Sequence, residues 1–148
     1  MSSPAAAEAG LIPPKSPTAL PSPASLRVAA QAAASHGEPL VLMTTLTGCP
    51  YCDLVRNHYL LPMRKSGQVH AVQLDMRDRT SHLQGFKGDS TTPANQLKTW
   101  KVRVAPTVLF LGPEGQELAE RLEGVAVPDF FGEYLDARLA EARRKLRS

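Results

Sequence analysis

The chain has 148 residues, 17 Lys plus Arg and 14 Asp plus Glu, for a formal net charge of +3. That length supports one hydrophobic core without disulfide staples, which excludes a cysteine-dense mini-protein. Only two cysteines, Cys49 and Cys52, are present, so a four-cysteine zinc site is excluded. The mild positive charge is interspersed with acids and gives nucleic-acid binding no compositional support.

Residues 1–24 hold six of the 13 prolines and only two charges, Glu8 and Lys15. Proline fixes φ and removes a backbone donor, so no helix or central strand is expected here. The stretch reads as a disordered or polyproline-like tail, with the folded domain at 25–148. It lacks the basic start and the apolar run of a secretory signal. No stretch is apolar for long enough to span a membrane. An Ala/Pro/Ser spacer is also common behind a removed signal or membrane anchor.

Beyond the tail, strands alternate with helices. Ser25 caps a helix over 25–36, rich in Ala and closed by Gly37. Residues 39–46, PLVLMTTL, form a continuous β-favouring run that suits a strand buried on both faces. Gly48-Cys49-Pro50 then opens a helix with Pro50 in its first turn. Cys52, Val55, Tyr59 and Met63 share one helical face, and Pro62 should kink or end the helix. Residues 68–75 read as a second strand. The polar stretch 76–92 is long for a connection and suits a helical turn or a mobile loop. Thr92 and Pro93 start a helix over Asn95–Lys101, with Leu97 and Trp100 inward. A strand from Pro106 and another over 116–122 flank the turn Gly112-Pro-Glu-Gly115. Pro128 opens a last amphipathic helix with Phe131, Leu135, Leu139 and Leu146 inward and a basic end. The order implies an α/β fold, a mixed sheet of four or five strands with helices on both faces.

The chemistry sits at a strand-to-helix turn. At a helix N-terminus, unpaired N–H groups and the macrodipole favour a thiolate on Cys49. Cys52, one turn on, is placed to attack a mixed disulfide formed at Cys49. Lowering a thiol pKa from about 8.5 to about 7 raises the thiolate fraction at pH 7 roughly 15-fold. Intrinsic nucleophilicity falls about 5-fold over the same shift, so the net gain in attack is about 3-fold. The larger effect is that Cys49 becomes a better leaving group.

The segments VLMTTLTGCPYC, VRVAPTVLF and EGVAVPDFFGEYL, with a glycine hairpin between the last two, resemble the thioredoxin superfamily over residues 25–146. The Cys-Pro-Tyr-Cys motif looks most like that of bacterial periplasmic thioredoxin-like proteins, including the kind found with sulfur-oxidation systems. The resemblance implies a thiol–disulfide oxidoreductase, acting as a reductase. Cys49 attacks and Cys52 resolves. Pro106 matches the family's cis-proline, and Ala105 offers its backbone to an extended substrate. Pro50, Tyr51, Gly124 and Val125 complete the groove. The implied partners are a protein disulfide and an upstream electron donor, with no nucleic acid, cofactor or metal. A monomer in the periplasm is expected, with the cytoplasm as the alternative compartment.

Two positions depart from the pattern. Met43 stands where thioredoxins carry a buried Asp, and Gly48 stands where they carry an aromatic residue. The paired glycines of a glutathione-binding glutaredoxin are also missing. Other readings stay open beside this one. A glutathione-linked glutaredoxin-like enzyme is one. A Cys-x-x-Cys copper or zinc carrier, with His58 or Asp53 as further ligand, is another, although His58 falls off the cysteine face. Tyr51 suits a substrate contact or a plain exposed aromatic equally. Trp100 reads as core, His70 as a strand residue without chemistry, and the basic C-terminal run as a solvated helix end.

Overall fold

The computed structural model describes residues 9–148. Its centre is the apolar run expected to be buried on both faces: β3, Leu40–Thr45, has five buried residues of six. It pairs in parallel with β4, His70–Asp75, and antiparallel with β7, Thr107–Leu111. The outer strand β8, Glu117–Glu123, runs antiparallel to β7, giving the order β4-β3-β7-β8.

Side chains alternate across a strand, so each run feeds two cores. Val41, Met43, Ala71, Val108 and Phe110 face one way. They pack on Val55 and Leu60, and on Phe131, Leu135 and Leu139 of the last helix, α5, Phe131–Arg147. Leu40, Leu42, Val72, Leu74, Leu109 and Leu111 face the other way. They pack on α1, Leu26–Ala34, and on Leu97 of α4, Pro93–Thr99. Ser25 caps α1 by accepting from the Val28 N–H at 3.2 Å, and Thr92 caps α4 by accepting from Asn95 at 3.2 Å. A short 3-10 turn, Pro128–Phe130, precedes α5.

The helix after Cys49 is divided. α2 covers Pro50–Val55, a π-helical turn covers Arg56–Leu60, and α3 covers Leu61–Lys65. Pro62 therefore neither ends the helix nor sits in a regular one. It has no N–H for the carbonyl four residues earlier, and its ring crowds that group. The wide turn, in which the Leu61 N–H reaches back to the Arg56 carbonyl, absorbs the mismatch.

Two stretches differ from the expectation. The part of the proline-rich segment from residue 9 onward lies against the domain; residues 1–8 are outside the described residues. β1, Leu11–Ile12, pairs antiparallel with β2, Ser22–Pro23. Leu20 is 1% exposed, and the Pro21 carbonyl accepts from Gln73 on the outer edge of β4 at 3.0 Å. Proline rules out a central strand but keeps its carbonyl, so it suits an edge that only needs acceptors. Lys15 on this segment acts together with hydrogen bonds from Ser81 and Thr80 on Asp78. The Ser81 bonds are the largest cause, and they hold the Asp78 carboxyl below its ordinary value. The insert 76–92 holds no helical turn. β5, Leu83–Gln84, pairs with β6, Ser90–Thr91, and buried Leu83 anchors it. Gln84 accepts from the Ser25 hydroxyl at 2.7 Å, tying the insert to the start of α1.

The β3–β7 ladder ends at the pair Met43 and Val108. One residue further, the buried Thr107 N–H needs another acceptor, and the Thr44 hydroxyl supplies it at 2.8 Å. The Thr107 hydroxyl in turn donates to the Val104 carbonyl at 2.8 Å. These bonds hold the turn 104–106 to the end of β3.

Two substitutions test this arrangement by urea unfolding. Leu20→Ala is expected to lower stability by about 2–4 kcal/mol; an unchanged midpoint would show that the proline-rich segment is no part of the folded unit. Thr44→Val leaves the buried Thr107 N–H without an acceptor and is expected to cost about 1–3 kcal/mol.

Candidate functional site

β3 ends at Thr45, and the chain turns through Gly48, whose φ of +76° favours glycine. This turn delivers Cys49 to the N-cap of α2, with φ −105° and ψ 102°. Its sulfur takes the place of a capping oxygen and accepts from the Cys52 N–H at 3.2 Å. Pro50 follows at the first helical position, where a missing N–H leaves nothing unsatisfied. Cys49 and Cys52 are joined in a disulfide, with their Cα atoms 5.2 Å apart. The two sulfurs have unequal surroundings. Cys49 is partly exposed, whereas Cys52 is 0% exposed and faces the interior.

Opposite them lies the turn before β7. The Ala105–Pro106 peptide is cis. The Ala105 carbonyl oxygen stands 3.7 Å from the Cys49 sulfur. Pro106 is buried, Ala105 is partly exposed, and the Pro106 carbonyl accepts from the Gly124 N–H at 2.8 Å. Gly124 has φ +70°, and a Cβ there would meet nothing within 4 Å. Its glycine is therefore required by backbone conformation rather than by close packing. Val125 is partly buried and packs on the core beneath α5. Tyr51 is 49% exposed between the two cysteines. The structure thus brings Cys49, Cys52, Ala105 and Pro106 to one end of the sheet. Gly124 adjoins them through Pro106.

Met43 is 0% exposed and packs with Val55 and Val108 in the apolar core. The interior side of the site accordingly has no carboxylate at this position. Three residues that the sequence reading passed over shape the surroundings. Thr44 and Thr107 fix the turn opposite the disulfide. Arg56, one turn after Cys52, pairs with Asp53, and its side chain is only 13% exposed. Among the described residues, its buried Nε has no hydrogen-bond partner. The signal for Arg56 was present as an i, i+3 acid–base pair behind the second cysteine. The threonines gave none, because two of them inside an apolar run read as ordinary strand residues.

His58 is exposed. Among the described residues, no group of three or more His, Cys, Asp or Glu side chains is placed to hold a metal ion. His70 lies on β4 with its ring 5.1 Å from that of His36. Trp100 is partly buried against the α1 and α4 side of the core. Among the described residues, no helix is long and apolar enough to cross a membrane.

No curated protein sequence matches the chain. Solved structures resemble it at low identity. A thioredoxin h from poplar shares 15% identity and a TM-score of 0.50, covering 72% of this chain and 82% of its own. A Fasciola hepatica thioredoxin shares 15% identity and a TM-score of 0.50, covering 78% and 95%. The periplasmic thioredoxin SoxS of Paracoccus pantotrophus shares 20% identity over 71% and 99%, with a TM-score of 0.44. At these identities the likeness concerns the fold. The family model described as a thioredoxin-like domain matches residues 26–139. That span contains the whole four-stranded sheet and the Cys49–Cys52 disulfide, and the chain belongs to the thioredoxin-like domain family.

Proposed function

We propose that the protein is a thiol–disulfide oxidoreductase that reduces protein disulfides through Cys49 and Cys52. The observation that carries this reading is the asymmetry of the pair. One sulfur is partly exposed at a helix N-terminus beside a backbone carbonyl, and the other is sealed behind it.

In the reduced protein, the Cys49 thiolate attacks one sulfur of a substrate disulfide. A mixed disulfide forms, and the other substrate sulfur leaves as a thiolate that takes a proton from water. Cys52, deprotonated in turn, attacks the Cys49 sulfur. The internal disulfide closes, and the second substrate thiol is released. Two electrons pass to the substrate, and an upstream dithiol donor returns the protein to its reduced form.

The N-terminal N–H groups stabilise Cys49 both as attacking thiolate and as leaving group. Ala105 lends its backbone to an extended substrate segment. Pro50, Tyr51, Pro106, Gly124 and Val125 form the walls on which that segment lies. With Met43 in place of an acid, no carboxylate at that position takes up the Cys52 proton. The direction of electron flow follows the resemblance to thioredoxins. The likeness of the Cys-Pro-Tyr-Cys motif to that of periplasmic, sulfur-oxidation-associated thioredoxin-like proteins supports a periplasmic setting, and we read the protein as a monomer.

Two variants test the division of labour. Cys49→Ser is expected to reduce exchange with a disulfide-containing protein to the spontaneous rate, and retained turnover would overturn the mechanism. Cys52→Ser is expected to accumulate a covalent mixed disulfide visible by non-reducing electrophoresis and mass spectrometry. If no adduct forms, Cys52 is not the resolving residue.

A further inference from the structure

Beside the turn that carries Ala105 lies an open cleft of about 730 Å³. Its floor includes Leu97 and Val102, both buried, and its rim carries Arg79, Lys98, Lys101 and Arg103. Among the described residues, no Asp or Glu lines it. Among the described residues none of the four cations forms an ion pair. Asp75 and Asp78, the acids closest in sequence to Arg79, accept backbone N–H bonds from Arg77, Thr80 and Ser81 and form no ion pair with it. Lys101 also borders an adjoining recess that holds Glu117, Glu120 and Glu123.

The placement of these cations has no local structural cause that covers all four. Lys98 and Lys101 sit at the C-terminal end of α4, where the helix dipole favours positive charge. Arg79 follows β4 and Arg103 precedes the 104–106 turn, so that explanation does not reach them. Lys101 also occupies a position that suits glycine. The Val102 N–H bonds to the Leu97 carbonyl at 2.9 Å and the Lys101 N–H to the Lys98 carbonyl at 3.0 Å. That pattern closes the helix with its left-handed residue at Lys101. Its φ of +59° is the only positive φ at a non-glycine among the described residues.

One rim residue of the cleft lies close in the chain to the residue that faces the reacting sulfur. Arg103 is two residues from Ala105, a separation of about 7 Å at most along the chain. Between them Val104 is 43% exposed. A partner segment that lies on Ala105 and continues over Val104 reaches Arg103, on the rim of the cleft.

We propose that this cleft docks an acidic segment of the protein whose disulfide is exchanged at Cys49, which rests on the exchange reading above. Exposed charges of this kind steer encounter and select partners more than they add affinity.

The test uses two disulfide peptides of equal length. One has runs of Asp and Glu flanking its cysteines, and the other has Asn and Gln at the same positions. For the reduced protein, kcat/KM is expected to be about tenfold higher for the acidic peptide at low ionic strength. Added salt should shrink that ratio. In the triple variant Lys98→Gln, Lys101→Gly, Arg103→Gln the ratio is expected to fall to about twofold or less. A charge-matched control, Lys65→Gln, Arg144→Gln, Arg147→Gln, should keep it, which separates this cleft from net charge. Lys101→Gly alone should hold or raise Tm, because glycine relieves the left-handed residue, while still lowering the ratio. Equal rates for the two peptides, or a preference that survives the triple variant, would overturn the docking site alone. Exchange with neither peptide would remove the oxidoreductase reading and the docking site together.

Discussion

The site depends on where one ladder stops. β3 is bonded on both sides, in parallel to β4 and antiparallel to β7, so its end necessarily lies beside the start of β7. Regular pairing stops at Met43 and Val108. Past that point the Thr44 hydroxyl takes over the bonding that a strand would supply. β3 can then leave toward Cys49 while the chain entering β7 arrives through Ala105 and Pro106. The 3.7 Å approach of the Ala105 carbonyl to the Cys49 sulfur follows from this geometry, with both loops held by the same sheet.

The same arrangement makes the two sulfurs unequal. Cys49 is the residue before the helix begins, so its sulfur meets the free N–H of Cys52 and remains partly exposed. Cys52 is one turn inward, on the face that carries Val55 into the core. An apolar enclosure raises the cost of a thiolate there, while the helix N-terminus lowers it at Cys49. Met43 strengthens this contrast, since a buried carboxylate at that position would have offered the Cys52 proton a nearby acceptor. Arg56 and Asp53 bring the nearest ion pair in sequence to the second cysteine, and Asp53 is 61% exposed, which weakens its field through solvent screening.

Much of this was legible in the sequence, for physical reasons. The β-favouring run Leu40–Thr45 suits a strand buried on both faces, and Pro50 after Cys49 suits the first turn of a helix. Caps at Ser25 and Thr92 were visible because their side chains act locally. What escaped depends on contacts distant in the chain. The proline-rich segment has no internal period, and only the free edge of β4 gives Leu20 and Pro21 somewhere to bind. The two-residue pairing of Leu83–Gln84 with Ser90–Thr91 is too short to leave a pattern. The π-helical turn reflects a conflict between Pro62 and a helix whose apolar face still has to reach the core. Thr44 acquires its role from Thr107, 63 residues away. Three of the four cations of the cleft, Lys98, Lys101 and Arg103, lie within six residues of the sequence, but only the fold brings Arg79 to them.

The central claim is that the fold separates an ionisable, accessible thiol from a shielded one. The pH dependence of alkylation of the fully reduced protein, with the modified residue identified by mass spectrometry, tests this most directly. The account predicts fast modification of Cys49 alone at a pH where an ordinary free thiol reacts slowly, and slow modification of Cys52 throughout. Equal reactivity of the two thiols, or a Cys49 that reacts no faster at neutral pH than a free thiol, would contradict it.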